Sequence, residues 1–173
     1  MPRRGGDGVT RPVRPRLSPA ASRWSRNLLL AAFLAASLAA CKEDDSSQTL
    51  LAKARANLAK GETGVATVLV QQAIEKDPRN AEAVLLFGRL LLDSANPVLA
   101  EETLRKAAEL GMARSQVDPL LARAMILNGR YDAVLSEIVV PQDAPPEAAA
   151  AIQTARGQAF LVRKQPEAAA AAF

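Results

Sequence analysis

The side chain with the most distinctive chemistry in this chain is the thiol of Cys41, the only cysteine. It lies at a sharp boundary, because the largely apolar run 28–40 ends there and the charged residues 42–45 follow. A lone cysteine cannot form a disulfide within the chain. The chain has no histidine, which excludes His-based acid–base catalysis and the usual zinc ligand sets. We therefore predict no catalytic residue, no metal site and no cofactor. The acidic run could bind a cation weakly, but it is more typical of a solvated spacer.

The residues before the thiol resemble a bacterial lipobox, in the order Leu38, Ala39, Ala40 and Cys41. The resemblance implies that residues 1–40 are a lipoprotein signal peptide with a long basic n-region, and that the cysteine carries a diacylglycerol. The apolar run of 13 residues fits the roughly 7–15 residues of a signal peptide, and it is shorter than the about 20 that span a bilayer. An uncleaved signal anchor and a buried thiol behind a short core helix remain the alternatives.

Lipidation of Cys41 would anchor the protein to a membrane, because each buried CH₂ contributes about 0.8 kcal/mol. Lys42 follows the cysteine, where an aspartate would suggest retention in the inner membrane. By analogy with Gram-negative lipoproteins, we expect export and attachment to the periplasmic face of the outer membrane.

The leader also accounts for the basic charge of the chain, which is +4 overall. Residues 1–40 hold seven arginines and one acid, so the part from Cys41 onward has 15 basic and 17 acidic residues. The mature part is therefore slightly acidic. It has no basic tract and few aromatic residues to stack on bases, so we predict no nucleic-acid partner.

The chain from residue 47 onward repeats with a period of 34 residues, which is typical of a tetratricopeptide (TPR) repeat. Small residues recur in register, and the last unit is displaced by one residue. The predicted packing positions are Ala54, Gly88, Ala122 and Gly157; Ala66, Ala100 and Ala169; Ala73 and Ala107; and Pro78.

Small side chains at these positions would allow two antiparallel helices to cross closely, and a large residue at Ala100 would cost about 1–3 kcal/mol by overpacking. We predict an all-α fold, a TPR superhelix that forms a right-handed α-solenoid of antiparallel helix pairs, after a disordered leader and a signal helix. Alanine-rich helical hairpins without this register are the alternative.

Local signals place the helices. Asn80 and Asn96 are expected N-caps, Pro97 and Pro166 first-turn residues, and Gly111 the end of the fourth helix. No segment alternates with a period of two, so no sheet is expected. The predicted helix pairs are 47–60 and 63–76, 81–94 and 97–110, 116–128 and 131–138, and 147–163 and 166–173.

The predicted domain order follows from the leader, the spacer and the repeat. The third unit is expected to be degenerate, with a loop at 139–146. The fourth is expected to be truncated, because the chain stops inside its second helix. The segments are the signal peptide 1–40, the lipidated cysteine and spacer 41–46, and the TPR units 47–80, 81–114, 115–149 and 150–173.

Segments 51–61, 83–89, 107–112 and 120–131, together with the lipobox and spacer, resemble the TPR lipoprotein family that accompanies exosortase and PEP-CTERM exopolysaccharide loci. The resemblance covers residues 41–173. It implies a non-enzymatic scaffold in envelope polysaccharide production or export, or in protein sorting. Two other functions remain open: a docking arm of a longer enzyme whose catalytic domain lies beyond residue 173, and a lipoprotein of an outer-membrane assembly complex.

A binding groove is predicted where the first helices of successive units line the inner face of the superhelix. Three arginines at one repeat position could bind an acidic peptide of an envelope protein, or the carboxylates of an acidic polysaccharide. Alternatively, the arginines only hydrate a helix face, or they pair with Glu82 and Asp93. The Lys/Asn pattern of carboxylate-clamp TPR domains is absent. The predicted groove residues are Arg55, Arg89, Arg123, Leu51, Leu85 and Leu92.

Overall fold

The structure is a computed structural model that describes residues 45–173, and this part of the chain forms eight α-helices and no strand. The predicted leader, the lipobox and Cys41 lie outside the described residues. The helices are α1 Ser47–Ala59, α2 Thr63–Lys76, α3 Ala81–Asp93, α4 Pro97–Glu109, α5 Arg114–Leu127, α6 Tyr131–Glu137, α7 Pro146–Val162 and α8 Pro166–Ala172.

The helices pack as four successive hairpins, since each helix contacts the next along the chain through a short connection. The first helices of neighbouring hairpins also contact each other, α3 with α5 and α5 with α7. This arrangement produces a layer of first helices, which is where a groove was predicted.

Helix ends follow the local sequence signals. The side chains of Asn80 and Asn96 accept hydrogen bonds from backbone N–H groups in the first turns of α3 and α4, which confirms both N-caps. Gly111 follows α4 with a φ of +94°, a value that suits glycine. Helix α5 begins at Arg114 instead of residue 116, without a side-chain cap.

The small residues of the repeat lie between helices. Those with a side chain are at most 1% exposed, and both helical glycines are buried. A Cβ atom on Gly88 would lie 2.8 Å from the side chain of Leu104, so this crossing has no room for a methyl group. The buried positions are Ala54, Ala66, Ala73, Gly88, Ala100, Ala107, Ala122, Gly157 and Ala169.

Pro78 does not take part in this packing. It is exposed in the turn between α2 and α3. The prediction that it packs between helices is therefore wrong. The restricted φ of proline suits the turn in which it lies.

Two hydrophobic clusters form the core of residues 45–173. One joins α1, α2 and one side of α3, and the other extends from α3 to α7. The partly buried side chains of Ile74 and Phe87 pack against both clusters. The core is therefore continuous along the stack, as expected when each hairpin covers the apolar face of the next.

The third hairpin departs from the others. Helix α6 has seven residues, and residues 138–145 connect it to α7 without regular structure. Helix α7 begins at Pro146, so it spans the unit boundary that was predicted between residues 149 and 150. Proline at the first helical position places the start there, because it lacks the N–H that a helix interior would require.

Candidate peptide-binding groove

The first helices line an open groove of about 820 Å³, which we name the first-helix groove. Its walls come from α1, α3, α5 and α7, with one residue from the turn before α5. The lining residues are Arg55, Glu82, Leu85, Leu86, Arg89, Met112, Gln116, Pro119, Leu120, Glu147, Ala148 and Ala151. Guanidinium and carboxylate groups thus stand above an apolar floor.

Two of the three predicted arginines are paired with acids in the first helix of a neighbouring repeat. Arg55 Nη2 lies 2.9 Å from Glu82 Oε2, and Arg123 Nη1 lies 3.6 Å from Asp93 Oδ1. All four side chains are about half exposed, so each pair is weak. Arg55 and Arg123 therefore follow the alternative interpretation of the sequence, in which the arginines pair with Glu82 and Asp93.

Arg89 differs from the other two arginines. It is exposed and lines the first-helix groove, and no carboxylate among residues 45–173 forms an ion pair with it. Its five N–H donors remain available to a ligand carboxylate in a bidentate arrangement. Only one of the predicted arginines is therefore a free cation in the groove.

A second, more apolar cavity of about 550 Å³ adjoins the first and shares Pro119, Leu120 and Ala151 with it. Arg123 lies at its edge, and Leu127 in its wall is 54% exposed. The groove therefore continues along α5 and α7 from a charged part into an apolar part.

The predicted leucines divide into two groups. Leu85 lines the groove, but Leu51 and Leu92 are each only 3% exposed and belong to the two cores. The prediction that these two form the groove floor is wrong, because both lie on helix faces that neighbouring helices cover. Leu86, Pro119 and Leu120 provide apolar lining instead.

A buried carboxylate in α4 was missed by the sequence analysis. Glu101 is 5% exposed and is held by three donors, one from α4 itself and two from the turn between α5 and α6. Asn128 Nδ2 donates to its Oε2 at 2.8 Å, Arg105 Nη2 lies 3.2 Å from its Oε1, and Arg130 also donates to Oε1. The spacing of Glu101 and Arg105 by four residues was the available signal. This network joins α4 to the turn between α5 and α6.

Asp118 in α5 is a second buried carboxylate, and its residue is 2% exposed. Both of its oxygens lie close to Arg114 Nε: Oδ2 accepts a hydrogen bond from it at 3.1 Å, and Oδ1 lies 3.0 Å away in the ion pair but has no hydrogen-bond partner. Burial raises the pKa of this carboxyl above its ordinary value, and the nearby Arg114 opposes that shift. It occupies the repeat position of Leu50 and Val84, which are both buried, so a charge replaces an apolar core residue.

The side chains of the first-helix groove supply both charge and apolar contact for a ligand. Within residues 45–173, no group of three or more His, Cys, Asp or Glu side chains is placed to hold a metal ion. In the same range, no helix is long and apolar enough to cross a membrane. What the groove offers among the described residues is one free cation, Arg89, one free carboxylate, Glu147, the Arg55–Glu82 pair and apolar surface.

Comparison with known proteins agrees with this architecture. A family model described as a tetratricopeptide repeat matches residues 57–118. A solved structure titled "MamA MSR-1 C2" is similar with a TM-score of 0.63 and 20% sequence identity, covering 89% of this chain and 85% of that chain. A search of curated proteins found no match. Residues 45–173 have an all-helical tetratricopeptide-repeat fold.

Proposed function

We propose that this protein is a lipid-anchored interaction scaffold of the bacterial envelope, which binds an extended segment of a partner protein in the first-helix groove. The fold supports a binding role, because stacked hairpins create an extended surface without an enclosed site. We further propose that it acts in exopolysaccharide production or export, or in sorting of PEP-CTERM proteins, without catalysis of its own.

The observation that carries the binding proposal is the position of Arg89. This arginine is unpaired within residues 45–173 and lines the groove together with the apolar side chains of Leu85, Leu86 and Leu120. A guanidinium beside apolar surface favours a carboxylate that is followed by an apolar side chain, because both groups are then satisfied together. An acidic peptide whose carboxylate reaches Arg89 and stays clear of Glu147 fits this groove.

The test is binding of an array of short acidic peptides to the full chain at low and high salt. We expect Arg89→Glu to weaken capture by about tenfold at low salt, since one ion pair becomes a repulsion. Arg79→Glu is the matched control, because Arg79 is exposed in the turn before α3 and does not line the groove. Equal loss in both variants, or no loss in either, would contradict a groove site.

The envelope location has an independent test. Cys41→Ser should abolish palmitate labelling and leave the precursor unprocessed, while Cys41→Ala should behave in the same way. Normal maturation of either variant would exclude the lipoprotein proposal and leave the groove proposal intact.

A further inference from the structure

A second open surface lies on the opposite side of α3, between the second helices α2 and α4. This cleft has a volume of about 830 Å³, and we name it the second-helix cleft. None of its lining residues lines the first-helix groove. It is therefore a separate surface, which the proposed groove function does not use.

The floor of the second-helix cleft is apolar and lies at the seam between the two hydrophobic cores. Ile74 and Phe87 are only partly buried there, and Leu99 in the wall is 40% exposed. Apolar side chains that remain accessible at the bottom of a cleft favour an apolar occupant.

The rim of the cleft is acidic. Glu75, Glu102 and Glu109 are all exposed along its edges, against the single exposed cation Lys106. Arg105 also lines the cleft, but its guanidinium is held by Glu137 at 2.7 Å and by Glu101. The negative charge of the rim is therefore not balanced by the cations that lie within it.

Charge and apolarity together select one kind of occupant. We propose that the second-helix cleft binds a basic amphipathic segment of a second partner protein, with apolar side chains on its floor and Lys or Arg at its rim. The two surfaces then differ in what they select, because the first-helix groove offers the free Arg89 to a carboxylate while the rim of the cleft is acidic. A chain with both surfaces can join an acidic segment and a basic segment at the same time.

The probe is a short fluorescein-labelled peptide of Lys and Leu, spaced so that the leucines lie on one face of a helix and the lysines on the other. Its binding to the full chain is followed by fluorescence anisotropy. The control peptide has Glu in place of Lys. We expect the Lys peptide to bind at low salt and to weaken as salt screens the rim. Equal binding of the two peptides, or binding of neither, overturns the proposal.

Matched variants locate the site. Leu99→Ser should weaken the Lys peptide by about tenfold, because it removes apolar area that the peptide would cover. Val98→Ser is the control, since Val98 is 71% exposed on the same helix but does not line the cleft. An equal effect of both substitutions would place the peptide elsewhere and overturn the proposal.

The rim is tested by charge reversal. Glu75→Lys and Glu109→Lys should each weaken binding about threefold, as expected for exposed charges. Asp143→Lys, in the exposed loop before α7, is the control for total charge. The Lys peptide reports on the cleft and the acidic peptides report on the groove, so failure of the cleft and failure of the groove are told apart. Circular dichroism and thermal melting confirm that each variant is folded.

Discussion

The hairpin of α3 and α4 and the hairpin of α5 and α6 follow the same 34-residue period, but different chemistry holds their second helices. Helix α4 has 13 residues, and Leu104 in its middle is fully buried against Gly88 of α3. Helix α6 has seven residues and ends at Glu137, so it offers much less apolar surface to α5. The second hairpin is held by close packing of apolar and small side chains.

The third hairpin compensates with polar contacts. Arg156 of α7 donates to the carbonyl oxygens of Ile138 at 2.7 Å and Leu135 at 3.1 Å. These carbonyls belong to the end of the shortened α6, where no further helical turn supplies N–H donors. Glu101 holds the turn before α6 from the other side, through Asn128. A repeat can thus lose half a helix when neighbouring repeats satisfy the backbone groups that the loss leaves free.

The largest expected effect is in the second hairpin. Leu104→Ala should lower the free energy of unfolding by about 2–5 kcal/mol, because it leaves a cavity in a fully buried site. Urea denaturation followed by circular dichroism measures the change. Leu161→Ala is the control, since Leu161 in α7 is 53% exposed and its loss should cost far less. Equal costs would show that the second hairpin does not depend on close packing.

The next effect concerns the third hairpin. Arg156→Met keeps much of the side-chain volume but removes the donors to the two carbonyls, which should cost about 1–3 kcal/mol. Arg163→Met is the matched control, because Arg163 pairs only with the exposed Asp132 and should cost about 1 kcal/mol or less. Hydrogen exchange of α6 amides should increase in the first variant alone. Unchanged exchange in both would mean that the end of α6 does not depend on Arg156.

A smaller effect distinguishes two glycines at the same repeat position. Gly88→Ala would place a methyl group against the buried Leu104, and the strain should exceed the gain in helix propensity by about 1 kcal/mol. Gly157→Ala would meet the ring of Phe173, but that residue is 67% exposed and its ring can turn away. The second substitution should therefore be neutral or slightly stabilising. A reversed order of melting temperatures would contradict the difference in packing.

The sequence predicted the helices well because the packing that defines them recurs every 34 residues. The side-chain partners were harder, since they depend on residues distant in sequence: the burial of Glu101 requires Asn128 and Arg130 from another hairpin. Leu51 and Leu92 were misplaced for a related reason. First helices in a stack are covered on more than one side, so short runs such as 50–51 and 90–92 are apolar throughout. The spacing of apolar residues in these runs therefore does not separate core positions from groove positions.

The smallest expected effect tests the buried charge at the start of the third hairpin. Because the folded-state pKa of Asp118 is raised above 3.8, the folded protein binds a proton more tightly than the unfolded chain. The protonated Asp118 carboxyl therefore contributes to the free energy of unfolding at low pH, and this contribution is lost as pH rises through the folded-state pKa. Asp118→Asn removes this titration, so it should raise the melting temperature by a few degrees at neutral pH. The gain should shrink as pH falls toward 3.8. A gain in melting temperature that is independent of pH would mean that the charge of Asp118 does not weaken the third hairpin. The polar contacts of Asp118 would then already compensate its burial.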